Sequence, residues 1–383
     1  MNPAAEAPEE HRVLIVGGGS GGHISPGLAV AEALASLGSQ CHVICSERAI
    51  DSSMLSQEAV SFETVPARPF STRPSGLLRC LRGMQRSSRH VRQLLEGTKF
   101  DCVLALGGFV AAAVMPGISK ARSQNTNMFN GPVVLLNLDS VPGKANRHIA
   151  RQADLILSTV DTVQPRFASS ITGLPIRSAA LAPGDPEHCR KELGLEPERP
   201  VLLVTGASQG AGSVNRLMQR LLDVSHAGLA DCQVIHLIGD GGDHAIASTY
   251  AQAGIRAIVL PFLDQMGLAW GAASITISRA GANSVGEIQA NSVPAIFLPY
   301  PHHRDQHQVY NARPLVDAGG AHIVEDQDDQ ATADTVGRLL ADLFNNPLKR
   351  RSMSDALAAQ ARPEAAEAIA SVLLAASNIT RSK

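Results

Sequence analysis

Residues 12–36 read RVLIVGGGSGGHISPGLAVAEALAS. An unbroken run of β-branched and leucine side chains suits a strand covered on both faces. The Ala/Leu-rich run after it, with Pro26 near its start, suits a helix. Between the two, Gly17, Gly18, Gly19, Gly21 and Gly22 leave only Ser20 with a side chain. Glycines let the chain turn tightly and let a ligand reach main-chain N–H groups, and a helix N-terminus adds about half a positive charge. The stretch therefore predicts the opening of a βαβ unit with an anion cradle at the turn. The same pattern recurs where DCVLAL (101–106) runs into Gly107-Gly108-Phe109, and where PVLLVT (200–205) runs into Gly206-Ala207-Ser208-Gln209-Gly210.

Around these turns, short apolar runs alternate with longer helical ones. CHVICS (41–46), PVVLLN (132–137) and DLILST (154–159) complete a first α/β series. CQVIHLIGD (232–240), AIVLPF (257–262), SITIS (274–278), PAIFLPY (294–300) and HIVED (322–326) belong to a second. Residues 161–200 break the pattern with six prolines and read as a linker. The expected fold class is α/β, with two doubly wound Rossmann-like domains facing a cleft, because ligands bind outside the carboxyl ends of parallel strands. The expected boundaries are a disordered tail over 1–11, an N-terminal domain over 12–170 and a C-terminal domain over 171–345. Helices over 346–383, divided at Pro363, are expected to pack back toward the N-terminal domain.

Composition narrows the function classes. The chain has 383 residues, enough for two cores, and its 44% apolar and 18% charged residues exclude a disordered or fibrous protein. Thirty-three basic against thirty-five acidic residues give a net charge of −2, so no global field recruits nucleic acid. The six cysteines lack paired CxxC spacing and read as buried thiols; Cys41, His42 and Cys45 follow a strand period and are read as core rather than as metal ligands. The first ten residues lack the basic and apolar regions of a secretory signal. The longest near-apolar run, 102–118, is broken by glycine and proline and falls short of a spanning helix.

Two features bear on chemistry before any family is considered. Gly17-x-Gly19-x-x-Gly22 satisfies the dinucleotide fingerprint, but Glu47 is poorly placed for its acidic partner. His23 stands at the edge of the cradle, where an imidazole is suited to deprotonate a ligand hydroxyl at neutral pH, or simply to bond at a helix start.

The glycine turns, taken with Ser278-Arg279-Ala280-Gly281-Ala282 through Glu287, resemble the MurG family in order from about residue 12 to 345. Those enzymes move N-acetylglucosamine from UDP to a lipid-linked muramyl-pentapeptide, on a fold of the GT-B glycosyltransferase type. The resemblance implies a donor site made of Ser20, Gly21, Gly22, Arg177, Ser208, Leu263, Ala282, Asn283, Ser284, Val285, Gly286, Glu287, His307, Gln308 and Asn311. In it Leu263 presents its backbone to the uracil and Glu287 takes the ribose hydroxyls. Gly18, Gly19, Gly107 and Gly108 are expected at the acceptor diphosphate. His23 is the expected base with Asp139 second, and inversion at the sugar follows from the resemblance alone. Asp139 is as well explained as a surface acid. His302, His303, Asp305 and His307 look like a metal cluster, but their loop setting and the resemblance argue for no metal and no cofactor.

Leu136-Asn137-Leu138-Asp139 departs from the family's His-Glu-Gln-Asn, and Leu174-Pro175-Ile176 precedes Arg177 where the family has Asn-Pro-Val. The donor class is thus better marked than the acceptor. Residues 68–92 carry seven arginines and no acid, interleaved with Leu77, Leu78, Leu81, Met84 and Val91. Arg79, Arg82, Arg86 and Arg89 are expected to touch an anionic membrane surface, and the resemblance implies a peripheral place on the cytoplasmic face of the inner membrane. The expected partners are a UDP-sugar donor and a polyprenyl-diphosphate-linked acceptor. A nucleotide-sugar epimerase, or a binding protein without catalysis, are the rival functions.

Overall fold

The computed structural model describes residues 11–19, 21–123, 128–167, 170–206, 210–223, 229, 231–302 and 305–381. Of the tail expected over 1–11, residues 1–10 lie outside them. The chain divides into two compact units, one of residues 1–175 with 364–383 and the other of residues 176–363.

The N-terminal unit runs β1 (Arg12–Val16), α1 (Gly21–Ser36), β2 (Gln40–Ser46), α2 (Ala49–Ser56), β3 (Ser61–Val65), α3 (Pro74–Gly97), β4 (Cys102–Ala105), α4 (Gly108–Ser123), β5 (Val133–Asn137), α5 (Lys144–Ile149) and β6 (Leu155–Ser158). The C-terminal unit follows with α6 (Pro186–Glu192), β7 (Val201–Thr205), α7 (Gly212–Asp223), β8 (Gln233–Leu237), α8 (Ile246–Gln252), β9 (Ala257–Leu260), α9 (Met266–Ala272), β10 (Ile275–Ser278), α10 (Ala282–Ala290), β11 (Ala295–Phe297), α11 (His307–Asp317), β12 (Ala321–Ile323), α12 (Gln330–Asn345) and α13 (Pro347–Ala358). The last helix, α14 (Ala365–Arg381), belongs to the first unit.

Both sheets are parallel, in the order β3-β2-β1-β4-β5-β6 and β12-β11-β10-β7-β8-β9. Counted within each unit these are one topology, strand order 3-2-1-4-5-6, whose direction of winding reverses between the first and fourth strands. The unbroken apolar runs now have their cause: Val13 to Val16 and Val201 to Val204 are all fully buried, because helices cover both faces. Each such side chain contributes roughly 1.5–3 kcal/mol of burial. The thiols are core as expected, with Cys45, Cys102 and Cys232 fully buried and Cys41 half-buried. Burial pushes the thiols of Cys41, Cys45 and Cys232 up to about 12.

The structure moves two of the expected boundaries. Residues 171–175 stay with the first unit, since Ile171 bridges to Ser158 and the Thr172 N–H donates to the Ser158 carbonyl at 2.9 Å. The later part of the supposed linker is folded. Arg190 on α6 is buried and donates to the Ala272 carbonyl, the Pro197 carbonyl and Ser274 Oγ at 3.0, 2.7 and 3.0 Å. The helices after 345 also part company. α13 remains on the C-terminal unit, where Met353 and Leu357 enter its core and Ser354 Oγ donates to the Ser292 carbonyl at 2.7 Å. Only α14 packs on the N-terminal unit, against α1 and β4, through buried Ala366, Ile369, Ala370, Leu373 and Ser377 at helical spacing.

Candidate functional site

In each unit the glycine turns leave the two strands that flank the reversal of winding, the place where doubly wound sheets bind ligands. In the N-terminal unit these are the turns after β1 and β4. Gly18 and Gly19 have φ of +135° and +89°, and Gly107 and Gly108 have +84° and +73°. A side chain at Gly19 would fall on the ring of Phe109, and one at Gly107 on the amide of Asn146. The two turns therefore fit together only as glycines. Gly21 and Gly22 open α1, whose first-turn N–H groups have no partners within the helix. Ser20 lies outside the described residues.

The N–H groups of the first turn are not all available to an anion. Gly17 N–H donates to the Ile44 carbonyl at 3.1 Å, and Gly19 N–H donates to Asp51 Oδ2 at 2.6 Å. The Gly19 N–H is thus held by a carboxylate in this structure. On the second turn, Gly108 N–H faces Asn146 Oδ1 at 3.4 Å.

His23 is the third residue of α1, and its Nε2 lies 3.3 Å from where a Cβ on Gly108 would stand. Burial lowers its pKa, while the carboxylates of Asp139 and Asp51 act in the opposite direction. A lowered value keeps the imidazole neutral at ordinary pH, the form that accepts a proton. Asp139 is thus electrically coupled to His23, and its position is set by amides. Asn146 Nδ2 donates to Asn137 Oδ1 at 3.0 Å, and Asn137 Nδ2 donates to the Asp139 carbonyl at 2.8 Å. The rewritten 136–139 segment thereby still connects to the Gly107 turn.

In the C-terminal unit the turns follow β7 and β10. Gly210 has φ +69°, and Ser208 lies outside the described residues. Gly281 precedes Ala282, the first residue of α10; Ser284, Val285 and Gly286 are buried behind it, and Asn283 Oδ1 is buried without a partner among the described residues. Glu287, one turn further along, accepts a hydrogen bond from Trp270 Nε1 at 2.9 Å. Its pKa is pushed up to about 7 by burial, against the opposing effects of the Trp270 bond and the Arg177 charge. Arg177 precedes a 3-10 turn over Ser178–Ala180. Asn291 at the end of α10 locks that segment in place, its Oδ1 accepting from Ala182 N–H at 2.8 Å and its Nδ2 donating to the Ala180 carbonyl at 2.9 Å. Arg177 and Glu287, 110 positions apart in sequence, are thereby brought within electrostatic reach.

Leu263 follows β9, half-buried against the core that holds Trp270. His307 and Gln308 open α11. His307 Nδ1 pairs with Asp305 Oδ1 at 2.8 Å, Gln308 Oε1 accepts from Tyr300 N–H at 2.9 Å, and Asn311 is buried. His303 is outside the described residues, and among those described no group of three His, Cys, Asp or Glu is placed to hold a metal ion. Gly21, Gly22 and His23 belong to one unit, while Arg177, Leu263, the α10 residues and the α11 residues belong to the other.

Sequence reasoning missed a buried charge pair. Arg279, just past β10, pairs with Asp326 Oδ2 at 2.8 Å, and donates to Ser213 Oγ at 2.6 Å and to the Leu298 carbonyl at 2.7 Å. Ser213 Oγ in turn donates to Asp326 Oδ2 at 2.6 Å. The cluster ties the start of α7 to the ends of β10 and β12. An arginine ending the apolar run SITIS was the available signal, since a buried charge needs a partner.

The arginine-rich segment is divided by the fold. α3 buries Cys80, Gly83, Ser87, Val91 and Leu95 on one stripe, so Val91 is core and not part of an outer surface. Arg68 pairs with Glu47 at 2.8 Å and Arg92 with Glu96 at 3.2 Å. Arg79, Arg82, Arg86 and Arg89 are exposed, beside exposed Phe70 (75%), Leu78 (48%) and Leu81 (53%). Among the described residues no helix is long and apolar enough to cross a membrane.

Residues 13–158 match the glycosyltransferase family 28 N-terminal domain and residues 201–369 its C-terminal domain. The UDP-N-acetylglucosamine--N-acetylmuramyl-(pentapeptide) pyrophosphoryl-undecaprenol N-acetylglucosamine transferase of Mycolicibacterium smegmatis is 33% identical, over 97% of this chain and 95% of its own length. The protein of the same name from a Nocardioides species is 34% identical, over 95% and 97%. The crystal structure of Acinetobacter baumannii MurG shares the fold with a TM-score of 0.67 at 24% identity, over 96% of this chain and 99% of that one. A putative UDP-N-acetylglucosamine 2-epimerase from Listeria monocytogenes shares it too, with a TM-score of 0.65 at 10% identity over 94% and 95%. With both domains matched and such relatives over nearly its whole length, the chain belongs to the MurG family of glycosyltransferases.

Proposed function

We propose that this transferase moves N-acetylglucosamine from UDP-N-acetylglucosamine to a polyprenyl-diphosphate-linked muramyl-pentapeptide. The observation that carries the proposal is the identity of 33–34% over nearly the full length with relatives named for that reaction. The residues support it chemically. Neutral His23 takes the proton of the acceptor hydroxyl as the oxygen attacks the anomeric carbon, and the sugar's bond to the diphosphate breaks. UDP leaves with the bonding electrons. The charge that develops on it is stabilised by the N-terminal N–H groups of α10 and by Arg177, donors fixed before the reaction begins. Glu287 accepts hydroxyls of the ribose. These fixed donors make a divalent metal unnecessary. Asp139 supports His23 by its charge.

The exposed arginines and leucines of α3 favour peripheral binding to an anionic leaflet, since the acceptor's polyprenyl tail stays in lipid while its sugar is glycosylated. The test is UDP release from UDP-N-acetylglucosamine with and without the lipid acceptor, in EDTA and in Mg²⁺. Release that requires the acceptor and is equal in both solutions is the expected result. Conversion of the donor without any acceptor would favour an epimerase, and loss of turnover in EDTA would overturn the metal-free mechanism.

A further inference from the structure

Asp51 on α2 is fully buried, yet the mechanism above gives it no direct role. Its Oδ2 accepts three hydrogen bonds, from Gly19 N–H at 2.6 Å, Ser46 N–H at 3.1 Å and Ser46 Oγ at 2.6 Å. A buried carboxylate is costly to hold, and this one is directed at the glycine turn. The opposite side of the same residue is held as well. Arg48, three positions before Asp51, donates through its guanidinium to the Gly19 carbonyl. That guanidinium lies 5.3 Å from the centre of the Phe109 ring, against which Gly19 packs. The N–H and the carbonyl of Gly19 are thus both gripped by the β2–α2 connection, and the grip reaches the residue after the Gly107-Gly108 turn.

α1 begins two residues beyond Gly19, and His23 lies in its first turn. With φ of +135° and +89°, the backbone of Gly18 and Gly19 has several open conformations unless something selects one. We propose that Asp51 is a positioning residue for the proposed transfer, which holds the Gly19 peptide and through it sets where α1 and His23 begin. This rests on the reading of His23 as the base that serves the acceptor. The charged groups acting on His23 are Asp139 from the β5 loop and Asp51 from α2, with Arg48 the cation on the same turn. Asp51 therefore supplies a grip and a charge, and two substitutions separate them. Asp51→Asn keeps an oxygen for Gly19 and Ser46 and removes the charge. Asp51→Ala removes both.

The experiment measures kcat, both KM values and the pH dependence of kcat/KM on the full chain, together with hydrogen exchange of the 17–28 segment without substrates. In Asp51→Asn the acidic limb of kcat/KM is expected to move to lower pH. Loss of one of the two carboxylates that favour the imidazolium leaves His23 neutral to lower pH, with Asp139 still in place. In Asp51→Ala the exchange of the segment is expected to quicken and kcat to fall about 10- to 100-fold, the scale for a misplaced reacting group. Wild-type exchange in Asp51→Ala would overturn the grip even if the wild-type chain proved not to be a transferase. Faster exchange with unchanged kcat and an unmoved acidic limb would overturn the positioning role. Failure of the wild type to turn over would instead sink the assignment of His23, with exchange still deciding the grip. If Asp51→Ala does not fold, Asp51→Ser, whose side chain lacks the carboxylate that accepts from Gly19, takes its place in the exchange and kcat measurements.

Discussion

Glu287 gives the sharpest quantitative prediction, because burial raises its pKa from 4.5 to about 7. The rise of about 2.5 units corresponds to roughly 3 kcal/mol, at about 1.4 kcal/mol per unit. In the unfolded chain the carboxyl ionises near its ordinary value, and in the folded chain only near 7. Between those values the folded state holds the extra proton, so stability falls as pH rises. The contribution is fully present below about 4.5 and gone once pH has risen through 7. Glu287→Gln keeps the shape and an oxygen for Trp270 Nε1 but has nothing to titrate. The wild-type stability, minus that of Glu287→Gln, should therefore fall by roughly 3 kcal/mol between pH 4.5 and 8.5. Trp270 is the chain's one tryptophan and bonds to Glu287, so its fluorescence in denaturant reports this unit. A difference that stays constant across that range would refute the reasoning. A second arm concerns the nucleotide. If ribose hydroxyls bond to the ionised carboxylate, UDP binding near pH 7 releases a proton, seen by calorimetry as a heat that depends on the buffer's ionisation enthalpy. Glu287→Gln should abolish that dependence.

Arg177→Ala should weaken UDP binding by roughly 1.5–3 kcal/mol, the range for a hydrogen bond to a charged group, with Asn291 still holding the segment; unchanged affinity by calorimetry would remove Arg177 from the donor site. Arg279→Leu should cost about 3–5 kcal/mol of stability in urea, because Asp326 is left buried and unpaired; a loss under 1 kcal/mol would contradict the burial of that pair. Arg79, Arg82, Arg86 and Arg89 changed together to Gln should release the protein from anionic vesicles and leave UDP affinity unaltered. Wild-type binding to those vesicles should weaken with salt as the Debye length shortens from about 10 Å at 0.1 M. A wild type that ignores anionic vesicles at low salt would leave α3 a solvated face.

The fold was legible where sequence pattern and topology obey one cause. RVLIV and VLLVT are unbroken because both faces of a parallel strand are covered, and the glycine turns follow because the strands beside the reversal of winding carry the ligand turns. Pro363 was legible as a break, since α13 ends at Ala358 and α14 starts at Ala365. What failed to show was tertiary. Prolines across 161–200 gave no hint that Arg190 anchors α6, and the helical pattern after 345 could not say which helix returns to the first unit. At the site, glycine and histidine are recognisable by type. Arg279 carried a signal in ending the apolar run SITIS, whereas Asp51 and Asn291 have no local signature, because each acts on backbone far along the chain. The neighbours of Asp51 and Asn291, SSMLS and QANS, say nothing of those partners.

The most direct test of the proposed transfer is mass spectrometry of the lipid acceptor after incubation with labelled UDP-N-acetylglucosamine and the full chain. The expected product is the muramyl-pentapeptide lipid carrying one labelled N-acetylhexosamine, formed with one UDP per acceptor and lost in His23→Ala. An unmodified acceptor, with the label remaining on UDP or recovered as an epimerised nucleotide sugar, would contradict the account.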